Sequence, residues 1–141
     1  MKHELRQAYR LMHKHFGHRN WWPGDTAFEI CVGAILTQNT SWKNVEHAII
    51  NLKAAKSLSA RKIYTLDHKE LAQLVRPAGY FNIKAKRLRN FVDVLVKEHG
   101  GSLKRMMTGS TSTVRERLLS ISGIGPETAD SMLLYAGNQP S

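Results

Sequence analysis

The sequence predicts an all-α protein, and three observations carry that prediction. Apolar residues recur at spacings of three and four through most of the 141 residues. No segment alternates apolar and polar residues for long enough to argue a sheet. Ser, Thr, Asp or Asn stands ahead of most periodic runs, where a side-chain oxygen can cap a helix. Roughly eight or nine helices are expected, with no internal repeat.

Leu5, Tyr9, Met12 and Phe16 form one stripe of a helix over residues 3–16, stopped by Gly17. His13, His15 and His18 fall on differing faces or past its end, so a solvated basic face explains them better than a metal cluster. Trp21-Trp22-Pro23-Gly24 is a turn bearing two large aromatics, and Asp25 can cap a helix from Thr26 to Gln38. That helix is apolar on most sides (Phe28, Ile30, Val32, Ala34, Ile35, Leu36) and therefore central. Ser41 caps the next helix, through Ala55, with Val45, Ile49 and Leu52 as its core stripe.

Ser59 and Asp67 open two shorter helices, the second carrying Leu71 and Leu74 and ending before Pro77 and Gly79. Asn82 is expected to cap a long helix whose inner face is Ile83, Leu88, Phe91, Val92, Leu95 and Val96. Its Lys84, Lys86, Arg87 and Arg89 lie largely outside that stripe, and Gly100-Gly101 ends it. After a short polar loop, Thr111 or Ser112 starts a helix with the apolar run Val114, Leu118, Leu119.

One sizeable core in one compact domain fits this length. Twenty-one Lys and Arg against 11 Asp and Glu give a formal charge of +10. Such a balance favours polyanions and predicts binding that weakens steeply with salt, without separating DNA, RNA and anionic membrane. Cys31 is the single cysteine, so an intramolecular disulfide and a Cys-based metal cluster are excluded within these residues. Its neighbours Ile30 and Val32 suggest a small buried thiol. No apolar stretch approaches the ~20 residues of a membrane span. The opening Met-Lys-His-Glu-Leu-Arg is too charged for a signal sequence, so a cytoplasmic protein away from membranes is expected.

The most informative stretch is Leu118 to Tyr135, Leu-Leu-Ser-Ile-Ser-Gly-Ile-Gly-Pro-Glu-Thr-Ala-Asp-Ser-Met-Leu-Leu-Tyr. Gly123 and Gly125 let the backbone turn tightly and approach another molecule with no Cβ in the way. The turn opens onto a helix N-terminus, whose N–H groups and positive dipole end favour a phosphate oxygen. Pro126 suits the first helical position. Gly-Ile-Gly-x-x-Thr-Ala between two apolar helices reads as a helix-hairpin-helix, which holds nucleic-acid backbone without reading bases.

This hairpin resembles that of the endonuclease III superfamily of DNA glycosylases. Phe28-Glu-Ile-Cys-Val-Gly-Ala-Ile-Leu-Thr-Gln-Asn-Thr40 and Val75-Arg-Pro-Ala-Gly-Tyr-Phe-Asn-Ile-Lys-Ala-Lys-Arg-Leu88 resemble it too. The nearest likeness is to the third class of 3-methyladenine DNA glycosylase, which shares Trp-Trp-Pro ahead of Phe-Glu. The resemblance implies a helix-hairpin-helix glycosylase fold, here incomplete. Residues 1–24 would belong to a second, mostly absent domain, and residues 25–141 would form a six-helix domain with the hairpin at 114–136. Double-stranded DNA would lie bent across the cleft of a monomer, with one damaged nucleotide turned out into a pocket.

The resemblance also assigns roles. Gly123, Ile124, Gly125 and Thr128 would hold a phosphate, and carbonyls of Leu119, Ile121 and Ile124 would hold a monovalent cation bridging to it. Gln38 would enter the gap left by the flipped base. Trp21, Trp22 and Trp42 would wall the base pocket, where stacking contributes ~1–3 kcal/mol per base and a cationic methylated purine adds a cation–π term. Lys84, Lys86 and Arg87 would contact phosphates, although a solvated face explains them equally well. Glu127 stands where bifunctional members carry a lysine; a carboxylate cannot form a Schiff base, which implies monofunctional base excision by water.

The family's catalytic aspartate follows the hairpin, and the sequence ends at Ser141 before that position; Asp130 comes too early. The expectation is therefore DNA binding without efficient base excision. No cofactor is expected in this chain, a 4Fe–4S cluster requiring a longer form. The rival expectation is a non-catalytic DNA-binding module whose tryptophans serve only as core. An RNA-binding protein is disfavoured, because nothing resembles those modules.

Overall fold

The computed structural model describes residues 26–136. Eight α-helical segments follow one another there: α1 (Thr26–Leu36), α2 (Trp42–Ala54), α3 (Ala60–Thr65), α4 (His68–Leu74), α5 (Phe81–His99), α6 (Leu103–Met106), α7 (Thr111–Leu119) and α8 (Pro126–Ser131). A 3₁₀ turn (Arg76–Ala78) precedes α5, and a π-helical turn (Met132–Ala136) follows α8. The described residues contain no strand, so the fold is all-α. Single-turn segments such as α6 form between the longer ones. The helix over 3–16 with its histidines, the Asp25 cap, Trp21 and Trp22 lie outside the described residues.

Several helix starts follow the capping chemistry written in the sequence. Ser41 Oγ accepts from Asn44 N–H at 3.3 Å, Ser59 Oγ from Lys62 N–H at 3.2 Å, and an Asp67 oxygen from Glu70 N–H at 2.7 Å. Helix α7 starts at Thr111, as expected, and its cap is Ser110, whose Oγ accepts from Thr113 N–H at 3.2 Å. Gly100 ends α5 in the left-handed conformation (φ 61°), as a C-terminal glycine does.

Helix α5 is the hub. It buries Leu88, Phe91, Val92 and Leu95, and packs against α1, α3, α4 and α6. Phe91 stacks on Phe28 of α1 with ring centroids 6.5 Å apart, so α1 and α5 meet through aromatic side chains. Helix α1 buries residues on most of its faces and also packs on α2, α8 and the π-helical turn. Cys31 is fully buried within it, and burial pushes its thiol pKa up.

The start of α5 departs from expectation. The capping position is Tyr80, in the left-handed conformation (φ 46°), and Asn82 sits inside the first turn. The buried stripe begins at Lys84 and Ala85, while Ile83 is 52 % exposed and Val96 only half-buried. The cause is local. Lys84 turns inward because its Nζ donates to Ala78 O at 2.7 Å, tying the helix to the preceding 3₁₀ turn. Ile83 is then carried to the stripe shared with Arg87 and Asn90.

Candidate nucleic-acid interface

The hairpin is built from the inside outwards. Helix α7 ends at Leu119, and Ile121 and Ile124 drop into the core as anchors of the turn. Ile121 N–H donates to Leu118 O (3.1 Å), Ile124 N–H to Ile121 O (3.1 Å) and Ala129 N–H to Gly125 O (2.9 Å). An ion pair from Arg115 Nε to Asp130 at 2.8 Å links the two hairpin helices on the surface. These internal bonds fix the turn without help from a ligand.

The two glycines serve different ends. Gly123 has φ 97°, and a Cβ there would lie 2.5 Å from Arg87 Cγ and 3.0 Å from its Cβ. Its missing side chain makes room for α5, not for another molecule. Gly125 has ordinary extended backbone (φ −90°), and a Cβ there would meet nothing within 4 Å. Open space at Gly125 is what an approaching backbone needs. Asn90 Nδ2 donates to Ser122 O at 3.1 Å, a second clasp between α5 and the turn.

The remaining residues expected at the phosphate and the gap divide similarly. Ile124 is buried and its N–H is used inside the turn. Thr128 is buried too, and its Oγ1 accepts from Gln38 Nε2 at 3.1 Å. Gln38 lies beyond the end of α1, which stops at Leu36 and not at Gln38 as expected. Its Oε1 accepts a hydrogen bond from an Arg87 guanidinium nitrogen. Gln38, Arg87, Gly123 and Thr128 thus form one contiguous assembly, drawn from α1's exit, α5 and both sides of the hairpin turn.

One expectation is corrected. Lys84 does not sit on a solvated face: it is 1 % exposed and bonded to Ala78 O, so it is no surface phosphate contact. Desolvation, with the nearby Arg87 charge adding to it, lowers its pKa to about 8. Trp42 is 6 % exposed and belongs to the core cluster at the start of α2. Lys86 is exposed, as expected.

The sequence reading missed Tyr80. It is 65 % exposed on left-handed backbone, just before the stripe of Ile83, Arg87 and Asn90. The hairpin covers the Arg87–Asn90 end of that stripe and leaves the Tyr80–Ile83 end bare. The available signal was Gly79, whose φ of 74° and ψ of 159° suit glycine alone.

Of the three carbonyls expected to hold a monovalent cation, Ile121 O already accepts the Ile124 N–H within the turn. The described residues hold no group of three His, Cys, Asp or Glu suited to a metal, and the buried Cys31 thiol does not fit cluster ligation. No described helix is long and apolar enough to cross a membrane.

The fold is shared with known proteins. A provisionally named DNA repair glycosylase of Methanocaldococcus jannaschii is 50 % identical over 136 residues, covering 96 % of this chain and 62 % of that protein. The crystal structure of H. pylori 3-methyladenine DNA glycosylase bound to 1,N6-ethenoadenine superposes with a TM-score of 0.74 at 34 % identity, over 98 % of this chain and 65 % of that one. A trapped endonuclease III–DNA covalent intermediate shares the fold with a TM-score of 0.66 at 20 % identity, over 96 % of this chain and 60 % of that one. The chain therefore spans less than two thirds of the length of these relatives. Residues 32–136 match the family described as HhH-GPD superfamily base excision DNA repair protein, and the chain belongs to that superfamily.

Proposed function

We propose that this chain is the DNA-gripping part of a monofunctional DNA N-glycosylase that acts in the cytoplasm, as a monomer, on double-stranded DNA carrying a damaged base. N-alkylated purines such as 3-methyladenine are the favoured lesion. The observation that carries the reading is the open face at Gly125 beside the Gln38–Arg87 pair, on a chain with a formal charge of +10. The turn would hold one phosphate through its backbone, with a monovalent cation at the Leu119, Ile121 and Ile124 carbonyls supplying positive charge beside it. Exposed Lys86 adds to the attraction.

With the backbone held and bent, Gln38 fills the space vacated by the extruded nucleotide. Tyr80 and Ile83 supply the apolar surface against which an opened base step rests. Trp21 and Trp22 would wall the base pocket. Glu127, in the first turn of α8, is stabilised by the helix dipole and offers no amine, so water is the nucleophile and the sugar ring is not attacked by the protein. The carboxylate that assists water would come from a segment after the hairpin.

Joined to a downstream aspartate-bearing segment, the chain should release methylated purines from alkylated DNA and leave intact abasic sites. Strand cleavage by the protein itself contradicts the role given to Glu127. Burial of Trp42 favours, in one respect, the second reading of a non-catalytic module with core tryptophans. Tryptophan fluorescence separates the two. A pocket tryptophan predicts different quenching by duplex with an abasic-site analogue and by intact duplex, whereas core tryptophans predict one signal for both.

A further inference from the structure

We propose that Arg87 is a positioning residue that sets opposite-base preference, by fixing which end of the Gln38 amide faces the estranged base. The inference rests on the reading of Gln38 as the gap-filling side chain and adds to it a residue whose expected role was phosphate contact.

The argument starts from donor and acceptor inventory. A guanidinium carries only donors, so the Gln38 atom it meets is the amide oxygen. That contact orients the whole amide, because oxygen and nitrogen exchange places only by a flip that would set two N–H donors against each other. The Gln38 nitrogen then points to Thr128 Oγ1, 3.1 Å away, which takes one of its two hydrogens. The second N–H is the group left to offer. Held in this way, Gln38 meets an orphaned base as a donor and prefers an acceptor on its Watson–Crick edge. Released, it could offer either end.

Arg87 is itself held. The Gly123 backbone rests on its stem so closely that a Cβ would come within 2.5 Å of Arg87 Cγ. Asn90, one turn further along α5, bonds Ser122 O of the same turn. The guanidinium is therefore aimed by the hairpin, and the element that grips the phosphate also sets the side chain that enters the gap. A free surface arginine would have neither constraint. Its charge-assisted bond to Gln38 is stronger than the neutral contact to Thr128, so when a base edge competes for the amide, Thr128 is the partner given up.

The test compares equilibrium affinities of the chain for four duplexes, each with a tetrahydrofuran abasic analogue opposite A, C, G or T. The parent, Arg87→Met, Gln38→Ala and the double variant are measured. Methionine keeps the unbranched stem against Gly123, and circular dichroism melting confirms that each variant is folded. The parent should discriminate among the four duplexes by about fivefold, the worth of one net hydrogen bond. Arg87→Met should flatten that profile to the one given by Gln38→Ala, and in the Gln38→Ala background it should alter the profile no further. A general loss of affinity from the lost charge cancels in these ratios.

Gln38→Glu gives an independent measure, since a carboxylate still pairs with Arg87 but has no N–H to offer; it should reverse or abolish the preference. If Arg87→Met weakens all four duplexes by one factor and leaves their ratios unchanged, Arg87 is only a phosphate contact and the proposal fails. Should the parent bind none of the abasic duplexes better than intact DNA, the underlying reading of Gln38 fails first, and the two failures are told apart.

Discussion

The hairpin turn and the Gly79–Tyr80 corner lie against the two ends of one stripe on α5, and they reach their shapes by opposite means. In the hairpin, Gly123 is required for space: α5 fills the volume its side chain would occupy. At the corner, Gly79 has nothing within 4 Å of a would-be Cβ, and only its φ and ψ demand glycine. The hairpin is clasped from outside by Arg87 and Asn90. The corner is tied from beneath by Lys84, a buried cation bonded to Ala78 O. Packing thus fixes the turn proposed to grip DNA, whereas electrostatics fixes the one proposed to press on it.

The comparison breaks most sharply at Gly123. Gly123→Ala meets both a left-handed backbone and a clash with Arg87, and should cost about 2–4 kcal/mol of stability. Thermal denaturation would show it as a clear fall in midpoint. A variant melting with the parent would mean that α5 and the turn do not press together as described.

Lys84 carries the next effect. Its folded pKa, about 8, lies below the ordinary lysine value of 10.5. Below pH 8 both states hold the proton and burial of the charge is a cost. Between pH 8 and 10.5 the unfolded state binds more protons, so the contribution of this group to stability rises with pH. The gain should approach, in order of magnitude, 3 kcal/mol. Lys84→Met removes this dependence, so the difference in stability between parent and variant, followed from pH 7 to 10.5, isolates it. A constant difference contradicts the burial of a charged Lys84.

Gly79→Ala comes third. With no clash to add, strain alone should cost about 1–3 kcal/mol, and hydrogen exchange should quicken around Tyr80 more than in the hairpin. Equal loosening of both turns would erase the distinction drawn between them.

Much of the fold was legible because capping and periodicity are local. Ser41, Ser59 and Asp67 cap helices as their positions suggest, and the stripe from Leu88 to Leu95 faces the core as spacing predicts. The misreadings have a tertiary cause. Nothing near Lys84 in sequence says that a carbonyl six residues earlier will draw its ammonium inward, and that one bond turns Ile83 out to solvent. The hairpin was plain from Gly-Ile-Gly-Pro, but the unequal roles of its glycines were not, because only the arrival of Arg87 makes Gly123 a packing residue. Tyr80 was overlooked since an exposed aromatic carries no periodicity. Trp42 could be matched to a pocket only by resemblance, and its place in the core is set by tertiary packing that spacing does not show.

The smallest change to the fold carries the most direct test. Gly125 has backbone that any residue adopts and open space in front of it, so Gly125→Val should cost only about 1 kcal/mol, the worth of a helix cap, and stay folded. Affinity for duplex DNA, titrated at fixed salt, should nevertheless fall on the order of tenfold, because the new methyl groups occupy the approach of the phosphate. A folded variant that binds duplex as tightly as the parent would contradict the placement of the DNA backbone at this turn.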